Sequence, residues 1–63
     1  MHELVGRRVQ DRHTKERGII KEVKQNRIKV EYRNGCETYV FPAAFFDHLM
    51  LEDEELQRKY EER

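Results

Sequence analysis

The stretch "VEYRNGCETYVFPAAFF", residues 30–46, decides how this 63-residue chain is read. Two alternating segments meet at Asn34-Gly35, a thiol sits beside the turn at Cys36, and Pro42 opens an aromatic, alanine-rich run. Asn-Gly is a strong hairpin signal, because both residues tolerate the positive φ that a type I′ turn needs at its two central positions. A two-residue loop would set Arg33 against Cys36, Tyr32 against Glu37, Val30 against Tyr39 and Ile28 against Phe41. Ile28, Val30, Tyr32, Tyr39 and Phe41 then share one face, the face expected to line the core. A slip of one residue would send Tyr39 and Phe41 into solvent. On this register Phe41→Ala removes a buried aromatic and is expected to unfold the domain.

Working outward, "GRRVQD" (residues 6–11) reads as a first short strand with Val9 inward, and "DRHTKER" (11–17) as a polar loop. "RGIIKEVKQ" (17–25) is β-branched after Gly18 and reads as a second strand, closed by a turn at Gln25 and Asn26. "RIKVEY" (27–32) alternates as a third strand and "CETYVF" (36–41) forms a fourth. Pro42 ends the ladder, since it has no N–H to donate, and suits the first position of a short helix or 3₁₀ turn over 42–50. Phe45 and Leu49 lie four apart on one face of that helix. Residues 52–63 read as an acidic helix, with its acids at the start and Glu54–Arg58 and Glu55–Lys59 in the favourable order. Its apolar stripe is Leu56 and Tyr60, a candidate face for a partner or a weak dimer. The chain thus divides into residues 1–51, a small barrel with a closing helical turn, and residues 52–63, a C-terminal helix. The fold class is mainly β, with four to five antiparallel strands.

Composition narrows the function. Only 37% of residues are apolar and 41% are charged, so a single small core is all this length supports. No apolar run is long enough to cross a membrane. The start, "MHELVGRR", has no signal-like apolar core, and a lone cysteine suits a reducing compartment, so a cytoplasmic location is expected. The zero net charge hides a segregation. Residues 1–33 carry ten Lys/Arg against five Asp/Glu, and residues 34–63 carry three against eight. A basic front half suits an anionic partner. It also suits neutralisation by the chain's own acidic back half.

The spacing G-x-x-V, G-x-I, I-x-V-x-Y, G, Y-x-F-P-x-A-F and L-x-L-x-D is met by Gly6, Val9, Gly18, Ile20, Ile28, Val30, Tyr32, Gly35, Tyr39, Phe41, Pro42, Ala44, Phe45, Leu49, Leu51 and Asp53. This pattern resembles a bacterial SH3-like (Tudor-like) module whose fourth strand runs into an F-P-x-A-F turn and a C-terminal helix. The resemblance spans nearly the whole chain, and "FPAAF" followed by "LMLED" is its most specific part. More distantly, the chain is similar to the Tudor-like C-terminal domain of superfamily-1 repair helicases, barrels that bind RNA polymerase or DNA. The resemblance implies a barrel and a binding role in a larger, transcription- or repair-associated assembly; it supplies no catalytic residue. One departure stands out: Lys15 and Glu16 occupy positions where such modules often carry an aromatic-glycine pair.

Nothing in the chain spells an enzyme. There is no Gly-rich phosphate loop, nucleophile elbow or zincin motif, and no cofactor is implied. His2, His13, His48 and Cys36 do not fall at metal-ligand spacing. Cys36 is expected at the outer face of the hairpin tip, where a nearby Arg33 would favour the thiolate. Two binding readings remain. A protein partner would use an exposed sheet edge or the Leu56–Tyr60 stripe. A nucleic acid would use Arg12, His13, Lys15, Arg17, Lys29 and Arg33 as phosphate donors. Stacking of bases is disfavoured by the expected register, which places Tyr32, Tyr39, Phe41 and Phe45 in the core and leaves Phe46 as the exposed ring, joined by Tyr60 only if its helix is free.

Overall fold

The structure, a computed structural model, describes residues 2–61. It is mainly β, as the alternation predicts. Strands β1 (Arg8–Asp11), β2 (Arg17–Val23), β3 (Ile28–Tyr32), β4 (Glu37–Val40) and β5 (Leu49–Leu51) form one antiparallel sheet in the order β4-β3-β2-β1-β5. A 3₁₀ turn at Pro42–Ala44 leads into the single-turn helix α1 (Phe45–His48), and α2 (Glu54–Glu61) follows β5. The last two residues of the expected second helix lie outside the described residues. The sheet stays open, with β4 and β5 as its edges.

Alternation in the first three strands delivers the core. Val9, Ile20, Ile28 and Val30 are fully buried, and Leu4, Phe45, Leu49, Leu51 and Tyr60 complete the cluster. Two local features let β2 bridge its neighbours. The ladder to β3 shifts between Ile20 and Glu22, a bulge that bends the strand. At Gly18 the strands come so close that a Cβ would lie 2.9 Å from the Glu31 carbonyl oxygen and 3.0 Å from Val30 Cγ1. Only glycine fits there without moving β3.

The β3–β4 hairpin corrects the expected register by one residue. Ile28 pairs with Val40, Lys29 with Tyr39, Val30 with Thr38 and Glu31 with Glu37. The cause is the turn. Gly35 N–H donates to Tyr32 O (2.9 Å) and Tyr32 N–H to Cys36 O (2.8 Å), which closes a loop of three residues, not two. Gly35 takes φ +87° while Asn34 does not enter the positive region, so the loop is a type I turn with a glycine bulge. The Asn34 carboxamide oxygen accepts from Cys36 N–H at 3.0 Å and fixes the bend. Thr38 and Val40 therefore turn inward and are half-buried, while Tyr39 and Phe41, expected in the core, are exposed.

Two further expectations shift. Leu49 belongs to β5, not to the short helix, although it is buried as expected. The acidic helix folds back onto the sheet and does not offer its stripe to a partner. Tyr60 is buried and stacks on Phe46 at 5.4 Å, and Leu56 packs against the same core. Phe46, expected outside, is half-buried between Tyr60 and Phe45. Gln57, buried on α2, accepts from the Leu51 N–H at 2.9 Å and so caps the open side of β5.

Candidate functional site

The slipped register builds a face that the expected one would have destroyed. Side chains alternate across a strand, so Tyr39 and Phe41 project together from the outer side of β4. They are 53% and 73% exposed, large values for rings in a chain with few apolar residues. The Arg27 guanidinium lies over the Tyr39 ring, 4.7 Å from its centroid, in cation–π range. Lys29 sits directly across from Tyr39, and its Nζ reaches Glu37 Oε2 at 3.4 Å. That contact pushes the Lys29 ammonium upward from its ordinary value, because Glu37 accepts its hydrogen bond and lends it a negative charge.

The backbone of β4 is open on the same side of the molecule. The bonded pair Tyr32–Cys36 sets the alternation, which turns the N–H and C=O of Glu37 and Tyr39 away from β3. Among the described residues no strand follows β4 in the sheet. A partner strand would find these groups unpaired.

Elsewhere on the outer face, a cleft of about 460 Å³ opens over Gly18 and Ile19. Arg8, Arg17 and Arg33 line it, with Tyr32 at its side and Glu31 and Glu52 on its walls. Arg17 Nε lies 3.9 Å from Glu52 Oε2, a long contact. Burial raises the Tyr32 hydroxyl above its ordinary value, and the nearby Asp11 and Glu16 carboxylates add to the effect.

Of the six expected phosphate donors, the structure brings Arg17 and Arg33 together in this cleft and adds Arg8. Their meeting has a simple cause: β2 lies between β1 and β3, and Arg33 N–H donates to Arg17 O at 3.1 Å. Lys29 stands apart, beside Tyr39. Arg12 is committed to the fold, since its Nε donates to Phe46 O at 3.0 Å and its N–H to His48 O at 2.8 Å. His13 and Lys15 sit in a loop organised by Asp11, whose carboxylate accepts from the N–H groups of His13 (2.7 Å) and Thr14 (3.0 Å). The Thr14 bond first, and the His13 bond after it, hold the Asp11 carboxyl below its usual range. Lys15 takes φ +65° to close that loop. The His13 ring lies 6.0 Å from His48, away from the cleft. Cys36 is a free, exposed thiol at the hairpin tip.

Among the described residues no group of three metal-ligating side chains occurs, and no helix is long and apolar enough to cross a membrane. No protein-family model, curated protein or solved structure matches the chain.

Proposed function

We propose that this chain is a non-enzymatic binding module of SH3-like type that takes an extended segment of a protein partner along the open edge of β4. The observation that carries the reading is the solvent-facing pair Tyr39 and Phe41 beside an unpaired strand edge. Strand addition draws affinity from the free backbone groups of the edge and specificity from side chains next to it. Each ring offers roughly 150–250 Å² of area, most of it still to be buried. The SH3-like assignment rests on the resemblance, and β4 running through a 3₁₀ turn at Pro42 toward a C-terminal helix is the arrangement it implies. An exposed thiol suits a reducing, cytoplasmic setting within a larger assembly.

A protein partner is favoured over a nucleic acid by the pairing of the surface cations. Lys29 is tied to Glu37, Lys24 to Glu22 at 3.2 Å, and Arg7 to Asp53 at 3.8 Å. A phosphate backbone would meet a face of alternating sign, and its binding depends on many unneutralised donors.

The test is an amide chemical-shift titration of the labelled protein with extended peptides, a DNA duplex, a single strand and an RNA, at low and moderate salt. Shifts at Glu37, Tyr39 and Phe41 with peptide, little changed by salt, are the expected result. Tyr39→Pro should abolish them while the β3–β4 ladder persists, because the Tyr39 N–H points to the open edge. Salt-sensitive shifts with oligonucleotides on residues 12–17, and none with peptides, would replace this reading with nucleic-acid binding.

A further inference from the structure

The cleft between β1, β2 and β3 has its own chemistry. Three arginines line it, Arg8 from β1, Arg17 from β2 and Arg33 from the turn after β3, and two glutamates share its walls, which leaves one net positive charge. Arg17 has a distant partner in Glu52. Among the described residues, Arg8 and Arg33 carry no ion pair or side-chain hydrogen bond. Their guanidinium groups are thus unspent donors, each able to grip a carboxylate with two parallel N–H bonds. Ile19, directly across from Arg8, gives the cleft an apolar floor 41% exposed to solvent. The volume, about 460 Å³, holds one or two side chains and no folded domain.

We propose that this cleft receives one carboxylate side chain of an extended, acidic partner segment, gripped by Arg8 and Arg33, with an apolar neighbour of that residue seated on Ile19. The inference rests on the reading of the chain as a module for extended protein segments, and names the chemistry of the partner. Charge matching selects the occupant. A single carboxylate neutralises the one net charge of the cleft. A phosphodiester strand would bring one anion per nucleotide past Glu31, Glu52 and Glu37, whose carboxylates repel it. Guanidinium forks also suit the planar carboxylate, whereas a point-charge site would be met as well by lysine.

The experiment uses the labelled full chain and three probes: a blocked pentapeptide of alternating valine and glutamate, its valine–glutamine counterpart, and a thymidine oligomer. The glutamate peptide should move the amides of Gly18, Ile19, Arg33 and Gly35, and the glutamine peptide should leave them in place. The double variant Arg8→Ala/Arg33→Ala should bind the glutamate peptide at least about tenfold more weakly, because both charge-assisted contacts to the carboxylate are lost. Both residues are exposed, so its melting should match the parent; if it does not, Arg33→Glu alone gives the same readout by reversing the charge. Equal shifts with the glutamine peptide, silence of the cleft with all peptides, or shifts with the thymidine oligomer alone would each overturn the proposal. The β4 amides separate its failure from that of the strand-addition reading. If both peptides move Glu37 and Tyr39 while the cleft stays silent, the edge reading stands and the carboxylate site falls. If the cleft responds while β4 does not, the reverse holds.

Discussion

The two edges of the sheet are finished in opposite ways. At β5 the strand is buried, and helix α2 lies over it. Gln57 accepts the Leu51 N–H, and Tyr60 reaches the core. At β4 no further strand follows among the described residues, the backbone of Glu37 and Tyr39 faces outward, and two aromatic rings stand in water. Exposed edges invite pairing with other chains, and proteins usually blunt them. Here one edge is closed with the helix that a chain of this length can spare. The other is four residues long and carries Glu37 at its start. A small domain has little apolar area to give away. Placing Tyr39 and Phe41 outside, while Thr38 and Val40 fill the inner positions, is a distribution that stability alone would not select.

The contrast is sharpest in what each edge contributes to folding. Leu51 is 1% exposed at the covered edge, so Leu51→Ala should cost about 2–5 kcal/mol. That rivals the whole stability of a small domain, roughly 5–15 kcal/mol. Circular dichroism should show a largely unfolded or early-melting chain; a melt like the parent's would mean that β5 is not part of the core. Gln57→Ala comes next, because it strands a buried Leu51 N–H without its acceptor. A loss of about 1–3 kcal/mol is expected. Gln57→Glu keeps an acceptor oxygen but faces the Glu61 carboxylate, to which Gln57 Nε2 donates at 2.8 Å, so it should recover little of it. If the alanine variant melts unchanged, water serves β5 as well as the helix does, and the two edges are less different than their geometry suggests.

The turn decides which rings the open edge displays. Gly35 holds φ +87°, and a Cβ there would touch nothing, so Gly35→Val should cost roughly 1–2 kcal/mol through backbone conformation alone. An unchanged melting curve would show that the turn relaxes into another form. This turn is also where the sequence misleads. Asn-Gly serves a two-residue loop and a three-residue one, and "TYVF" offers an apolar residue to either face. Val9, Ile28 and Val30 were legible because their neighbours along the strand are charged or polar; in β4 no such contrast exists, and the larger rings drew the assignment inward. Leu49 looked helical because it stands four residues after Phe45, a spacing that the intervening chain direction cannot reveal. The Leu56–Tyr60 stripe was legible as apolar, but a stripe does not say whose core it fills. The cations of the cleft were visible one by one. That Arg8 joins Arg17 and Arg33 follows from strand order, a long-range property.

Acid and base should loosen the edges separately. At the covered side, the Tyr60 hydroxyl donates to the Glu3 carboxylate, tying α2 to the first turn of the chain. That bond is the main reason Glu3 is lowered from 4.5 to about 2. A depressed carboxylate adds stability above its unfolded value, and the contribution fades as pH falls from about 4.5 toward 2. At the open side, Lys29 is raised by Glu37, so its contribution is complete below the ordinary lysine value and is lost as pH climbs through the raised one. Glu3 is exposed and Lys29 half-buried beside an exposed Glu37, and the effects should be small beside those above. Melting temperatures across acid pH should fall less steeply for Glu3→Gln than for the parent. Parallel slopes would remove Glu3 from the tie between helix and first turn.

The smallest expected effect on stability carries the most information about function. Phe41 is 73% exposed, and its carbonyl, not its ring, makes the structural contact, accepting from Ala44 N–H at 3.0 Å. Phe41→Ala should therefore shift stability by no more than about 0.5 kcal/mol. Peptide binding at the β4 edge should weaken several-fold, as removal of an exposed aromatic anchor implies. The two readouts belong together. A large loss of stability would put the ring inside, restore the two-residue turn, and strip the outer face of the aromatics on which its binding role rests. Unchanged stability with unchanged binding would leave the ring as an exposed residue with no task. Only a silent melt paired with a weakened titration fits a ring that the fold keeps outside because a partner covers it.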